Sequence, residues 1–188
     1  MATEREAKIP VSAREPFQKR LAELGARHLG DAVERNQVFD RPDAESPDAL
    51  APRGMLLRLR TVDGRAGGLL TVKRPLEGGA FKAREELETR VDRPEAMRAQ
   101  LEALGFSLAW RYEKRRDEWE WRDCAVAVDD CPGLGYFVEV EGGEETIRAV
   151  LADIGLSASA HVPANYLGLW AERCRRDGVP FGDMLLPC

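Results

Sequence analysis

The sequence predicts an α+β fold: an eight-stranded antiparallel β-barrel with a charged interior, covered outside by amphipathic helices. Three observations lead there. Eight stretches read as strands, and in five of them charged residues alternate with mainly apolar ones, the period of two that gives each kind its own face. The charged faces also carry like charges in pairs, carboxylates on some strands (Glu4 and Glu6 beside Lys8, Glu86 and Glu88 beside Arg84, Glu139 with Glu141) and basic residues on others (Arg58 with Arg60, Lys114 with Arg116). Finally, three or four further stretches repeat apolar residues at spacings of three and four, as helices lying on a core do.

The elements follow in order. Glu4 to Lys8 is the first strand, with Glu4, Glu6 and Lys8 on one face. Ser12 N-caps a helix over residues 13–25, where Phe17, Leu21 and Leu24 form one stripe and Gly25 marks the end. Residues 32–40 read as the second strand. Residues 41–54 carry Pro42, Pro47 and Pro52 among scattered acids and are expected to form an irregular loop, mobile enough to act as a lid. Strands over 56–60 and 69–73 flank an Asp63-Gly64 turn. After Gly78-Gly79 a longer strand runs from Lys82 to Val91. Pro94 opens a second helix (Met97, Leu101, Leu104) that Gly105 ends. Three more strands are expected over 106–116, 119–129 and 136–141, the last two separated by the Pro132-Gly133 turn. Helices over 146–154 and 163–176 complete a single domain of residues 1–176, and residues 177–188 remain an unassigned tail.

Composition narrows the function classes. With 188 residues, 44% hydrophobic and 32% charged, the chain suits one soluble domain. A net charge of −5 disfavours nucleic acid and anionic membranes as partners of the surface at large, so any polyanion site must be a local concentration of Lys and Arg. The four cysteines form no CxxC pair and both histidines lie far from them, which speaks against zinc and fits thiols in a reducing cytoplasm. Neither a signal-type apolar core nor a run of 18 apolar residues is present, so a cytoplasmic protein is expected. The common phosphate and zinc motifs GxxxxGK[ST], GxGxxG and HExxH are absent.

A half-buried antiparallel sheet ordinarily turns its charged face to solvent, which explains any one of these strands. It explains the set less well, because the positions are nearly all full charges, with carboxylate pairs on some strands and basic pairs on others. If the eight strands close on themselves, the charged face becomes the interior and the helices cover the apolar outside. Such an interior cannot be dry and empty, since unpaired like charges are too costly to bury. It must hold water, metal ions and an anion.

Glu4-x-Glu6-x-Lys8, Leu-Arg58-Leu-Arg60, Thr71-Val-Lys73, Arg84-x-Glu86-x-Glu88, Lys114-Arg115-Arg116 and Asp129 followed by Leu-Gly-Tyr-Phe-Val-Glu139-Val-Glu141 together resemble the CYTH superfamily. That superfamily joins class IV adenylate cyclases and thiamine triphosphatases, the triphosphate tunnel metalloenzymes. The resemblance runs from Glu4 to about Tyr166. It implies an eight-stranded antiparallel tunnel, dependence on Mg²⁺ or Mn²⁺, and a substrate with a linear triphosphate. By position, Glu4, Glu6, Glu139 and Glu141 resemble the metal-binding group, with Asp129 and Glu88 as further candidates. Lys8, Arg58, Arg60, Lys73, Lys114 and Arg116 resemble the cradle for phosphate oxygens, while Arg84 either contacts the anion or pairs with Glu86. Glu4, Glu6 and Lys8 are the residues on which catalysis would turn. The chemistry suits the division: Arg offers phosphate a planar fork, Lys a point charge, and Mg²⁺ prefers a few carboxylates with substrate oxygens and water.

The family supports two reactions on this constellation. One is hydrolysis of the terminal phosphate of tripolyphosphate, thiamine triphosphate or ATP; the other is cyclisation of ATP to cyclic AMP with release of pyrophosphate. The cyclases carry a His-Phe pair shortly before their ExExK, whereas only Met1, Ala2 and Thr3 precede Glu4. No residues stand out as an adenine site, and hydrolysis is favoured. A non-catalytic polyphosphate or nucleotide binder is a third reading; it would call for a broken carboxylate group, and here the group is complete. Either a monomer or a homodimer is compatible with the chain.

Overall fold

Alternating side chains and short turns close the chain into a ring of strands. In the computed structural model, residues 2–43, 49–76 and 81–187 are described, the side chains of residues 2–4 and 82 excepted. The strands are β1 (Ala2–Val11), β2 (Arg27–Asp40), β3 (Leu56–Val62), β4 (Gly68–Leu76), β5 (Lys82–Val91), β6 (Ser107–Trp121), β7 (Cys124–Cys131) and β8 (Gly135–Glu141). They hydrogen-bond in the order β1-β5-β4-β3-β2-β6-β7-β8, and β8 returns to β1; every pair is antiparallel. The expected eight-stranded antiparallel barrel is present.

Four helices lie against it: α1 (Glu15–Glu23), α2 (Pro94–Ala103), α3 (Glu144–Asp153) and α4 (Tyr166–Asp177). On β1, Ala7 and Ile9 alternate with Glu6 and Lys8, and they join Leu21 of α1 and Ile147, Val150 and Leu151 of α3 in one outer core. On the other flank Phe39, Leu57 and Leu59 pack with Leu101 of α2. Burial of each such side chain contributes about 1.5–3 kcal/mol, so the helices hold the apolar outside of the ring and leave the charged face within. A third cluster fills one end of the barrel: Val38, Trp110, Tyr112, Phe137, Tyr166 and Met184.

The path departs from expectation between Trp119 and Asp129. Rather than one strand over 119–129, β6 continues to Trp121 and β7 begins at Cys124. Arg122 and Asp123 form the two-residue turn between them with φ of 49° and 59°. Hairpin turns of this hand usually carry Gly or Asn, and Arg-Asp gives little sign of one. The Gly78-Gly79 turn lies outside the described residues. So does part of the 41–54 loop, whose described ends are fastened: the Asp40 carboxylate accepts from the backbone N–H groups of Arg41, Leu50 and Ala51. The tail also has a place. Met184 pairs with Tyr112 along the stretch of β6 that overhangs β7, exchanging backbone hydrogen bonds with Arg111 and Glu113.

Candidate active site

The inward positions of the ring line a cavity of about 270 Å³. Because strand side chains alternate, the basic residues expected to share a face do so: Lys8 on β1, Arg58 and Arg60 on β3, Lys73 on β4, Arg84 on β5, and Lys114 and Arg116 on β6 all line it. Glu6, Glu88, Glu139 and Glu141 line it too. Glu6 stands opposite Glu141 in the β1–β8 register, and Lys8 stands opposite Glu139. Glu4 lies one pleat further along β1, opposite Arg84 on β5, with its side chain outside the described residues.

Most of the cations are held by carboxylates. The Lys8 ammonium is 3.1 Å from Glu139 and 3.5 Å from Glu6. Burial works against its charge, but the two carboxylates outweigh burial and its pKa is raised. Arg60 donates to Glu34 at 2.9 Å, and Lys73 pairs with Glu86. The partner suggested for Glu86 was Arg84; the register places Lys73 opposite it instead. Arg58, which is buried, has the Tyr112 hydroxyl at 3.4 Å. Glu139, also paired with Arg116, is mostly shielded from solvent, yet Lys8, Lys114 and Arg116 overcome the desolvation penalty and hold it well below the ordinary carboxylate range.

Asp129 behaves differently from the lining carboxylates. It has no exposed surface and accepts four hydrogen bonds: from Lys114 at 2.9 Å, from Arg116 at 2.8 and 2.7 Å, and from the Tyr166 hydroxyl at 2.8 Å. These take up essentially all of a carboxylate's acceptor capacity. Glu88, on β5, accepts from Thr71 at 2.8 Å.

Three contributors escaped the sequence reading. Glu34 sits on β2 within an ordinary-looking strand, and only its neighbours across β3 and β6 reveal it as interior. Asn36, two residues on, is buried, and among the described residues its amide oxygen and nitrogen both lack hydrogen-bond partners. Tyr166 comes from the first turn of α4 and lays its ring 4.2 Å from the Lys8 ammonium, a cation–π distance. Burial and the charges of Asp129 and Glu139 push its phenol pKa up, which keeps it a hydrogen-bond donor. No local pattern marked it, since its role depends on how α4 docks.

A ring of eight antiparallel strands with a basic interior and carboxylates at its β1–β8 seam narrows the families, and residues 2–156 match the CYTH domain family. The chain belongs to it. This CYTH domain is 29% identical over 139 residues to a Methanocaldococcus jannaschii protein provisionally named an adenylate cyclase, covering 72% of this chain and 74% of that one. A Vibrio parahaemolyticus structure, provisionally named in the same way, superposes with a TM-score of 0.76 at 18% identity over 89% of this chain and 97% of its own. A Hippeastrum structure, described as a provisional adenylyl cyclase with a dominant triphosphatase activity, superposes with a TM-score of 0.65 at 20% identity over 96% and 98%. At those identities the two structures bear on the fold alone.

Whether this CYTH domain suits a divalent cation can be judged from its donors. Among the described residues no three Asp, Glu, His or Cys side chains converge as a ready-made site. Mg²⁺ needs less, since it usually takes one or two carboxylates and fills its remaining positions with substrate oxygens and water. Glu6, Glu139 and Glu141 supply hard oxygens from adjacent strands on one wall of the cavity. That donor set fits such an ion; the saturated Asp129 does not.

Proposed function

We infer that this CYTH domain binds a linear triphosphate in its tunnel and, with a divalent cation, hydrolyses the terminal phosphate. One observation carries the reading: seven basic side chains from five strands line a single cavity of about 270 Å³. Charge-assisted contacts of this kind are the strong ones, and Arg58, Arg60 and Arg116 can each present two N–H groups to one phosphoryl unit. The volume lies near the lower edge of the usual range for small-molecule sites, roughly 300–1,000 Å³, which favours a compact inorganic or phosphoryl chain over a whole nucleotide inside.

In this reading Lys8, Lys114 and Arg116 lie beside the carboxylate wall and meet the phosphoryl group nearest it. Arg58, Arg60 and Lys73 hold the rest of the chain on the opposite wall. Glu6, Glu139 and Glu141, with Glu4, would hold Mg²⁺ or Mn²⁺. The ion, when bound, supplies charge neutralisation on phosphoryl oxygens and lowers the pKa of water. Water attacks the terminal phosphorus, the bridging P–O bond breaks, and the products are orthophosphate and the diphosphate. Charge develops on the equatorial and leaving oxygens, where the guanidinium and ammonium groups already stand.

The cyclase reading rests on the name of the Methanocaldococcus relative and on an apolar end to the cavity, where Leu56, Trp110, Tyr112 and Leu167 could meet a base. Product analysis separates the two. Tripolyphosphate, thiamine triphosphate and ATP are incubated with Mg²⁺, with Mn²⁺ and with chelator. Orthophosphate from tripolyphosphate, dependent on the metal, is expected. Cyclic AMP with pyrophosphate from ATP, and no orthophosphate from any substrate, would replace hydrolysis by cyclisation.

A further inference from the structure

Glu34 belongs to none of the charged patterns that led to the tunnel, yet it is buried against Arg60 and Lys114 of the basic wall. Its Oε1 accepts from Arg60 at 2.9 Å, and its Oε2 lies 3.5 Å from the Lys114 ammonium, too far for a normal hydrogen bond. That second oxygen is buried with no hydrogen-bond donor among the described residues. Lys114 faces Glu34 directly in the β2–β6 register, and the charges of Arg116 and Arg58 also act on it. A second, smaller cavity of about 50 Å³ is lined by Glu34 itself together with Glu118, Arg60, Arg65 and Arg116. The neighbouring Asn36 amide and the Arg58 Nε are also buried without hydrogen bonds among the described residues. Polar groups are thus gathered here beyond what the protein itself satisfies.

A carboxylate among several guanidinium and ammonium groups offers them the same acceptor oxygens that a phosphoryl group would. We propose that Glu34 is a resident counter-ion, holding a phosphate's place among Arg58, Arg60, Lys114 and Arg116 in the empty tunnel and thereby setting its affinity for anions. It is a positioning residue: it acts through Arg60 and Lys114, and an incoming anion must draw these from it while approaching its negative charge. The counter-ion keeps the basic wall ordered in the absence of substrate and limits how tightly a polyanionic product is retained. This inference rests on the triphosphate reading of the cavity.

The sign of the effect makes it testable, because loss of a merely structural ion pair would not tighten binding. A non-hydrolysable imido analogue of tripolyphosphate is titrated calorimetrically into the full chain in chelator and in Mg²⁺, with thermal melts reporting folding. Glu34→Gln keeps the shape and removes the charge, and should bind the analogue about tenfold more tightly, the equivalent of removing about 1.4 kcal/mol of like-charge opposition. Its melt without anion should fall below wild type, and a larger share should be regained on adding the analogue. Glu34→Asp, which keeps the charge but withdraws it from Arg60, should tighten binding by about threefold, and it carries the test if Glu34→Gln does not fold. Unchanged or weakened affinity in the folded variants, with wild type binding normally, overturns this inference alone. No binding by wild type or variants removes the triphosphate reading and this inference with it.

Discussion

Asp129→Asn separates a structural anchor from a metal ligand. The carboxylate is fully buried and accepts from Lys114, Arg116 and Tyr166. Asparagine keeps the volume but removes the charge, and places an N–H₂ donor among donors. Buried Lys114 and partly buried Arg116 then lose their shared partner, a change that typically costs about 3–5 kcal/mol. For a chain of this length each kcal/mol lowers Tm by about 2–4 °C, so a drop of about 6–20 °C is expected. Thermal melts followed by circular dichroism, in chelator throughout, measure it without any contribution from metal. A metal ligand in an empty site would behave oppositely, because neutralising it relieves repulsion among carboxylates. If Asp129→Asn is as stable as wild type in chelator, the anchor assignment is wrong.

Other consequences are open to test. Arg58→Ala should lower kcat/KM for a triphosphate by about ten- to hundredfold, from the loss of a charged contact of about 1.5–3 kcal/mol, and Arg58→Lys should restore only part of it; steady-state kinetics within twofold of wild type would place Arg58 outside the cradle. Glu34 and Glu139 are both held below the ordinary carboxylate value of 4.5 by the basic residues around them. Their contribution to stability is therefore complete above that pH and lost as pH falls through their lowered folded values. Urea midpoints should fall steeply below about pH 4.5 in wild type and less so in Glu34→Gln. Ending the chain at Val179 removes the buried Met184 and the Gly182 carbonyl that accepts from the Trp110 and Trp170 indoles; a loss of at least about 1.5–3 kcal/mol is expected, and an unchanged melting temperature would show that the strap contributes nothing.

How much of this was legible depended on whether the cause was local. Alternation is local, so Leu57 and Leu59 against Arg58 and Arg60, or Val138 and Val140 against Glu139 and Glu141, announced both the strands and their two faces. Which face was interior could be inferred only from the charges being full and sorted, and the ring of strands bears that out. The Arg122-Asp123 turn was missed because neither residue type demands a left-handed backbone. Glu34 and Asn36 were missed for another reason. Their environment is made by strands β3 and β6, far away in sequence, and nothing in Glu-Arg-Asn-Gln distinguishes an interior carboxylate from a solvated one. Tyr166 depends in turn on helix docking, and the value of Asp129 depends on three partners that converge only in the finished barrel.

The closure of the ring bears on how the chain folds. β1 finds one neighbour, β5, in the first half of the domain, but its other neighbour is β8, the last strand to be made. The pairings that neutralise the interior, Lys8 with Glu139 and Glu34 with Lys114, likewise join residues distant in sequence. Loop-closure entropy is spent before such contacts can form, and topologies dominated by them fold slowly. A half-closed sheet would expose its charged inner face to water, where those charges are well solvated, so partial closure gains little from ion pairing. The final β1–β8 pairing brings charge neutralisation and burial of Ala7 and Ile9 together. Closure of the seam is thus expected to be late and cooperative, and on the ribosome the N-terminal strand must wait for nearly the whole domain to emerge before its lysine meets its carboxylate.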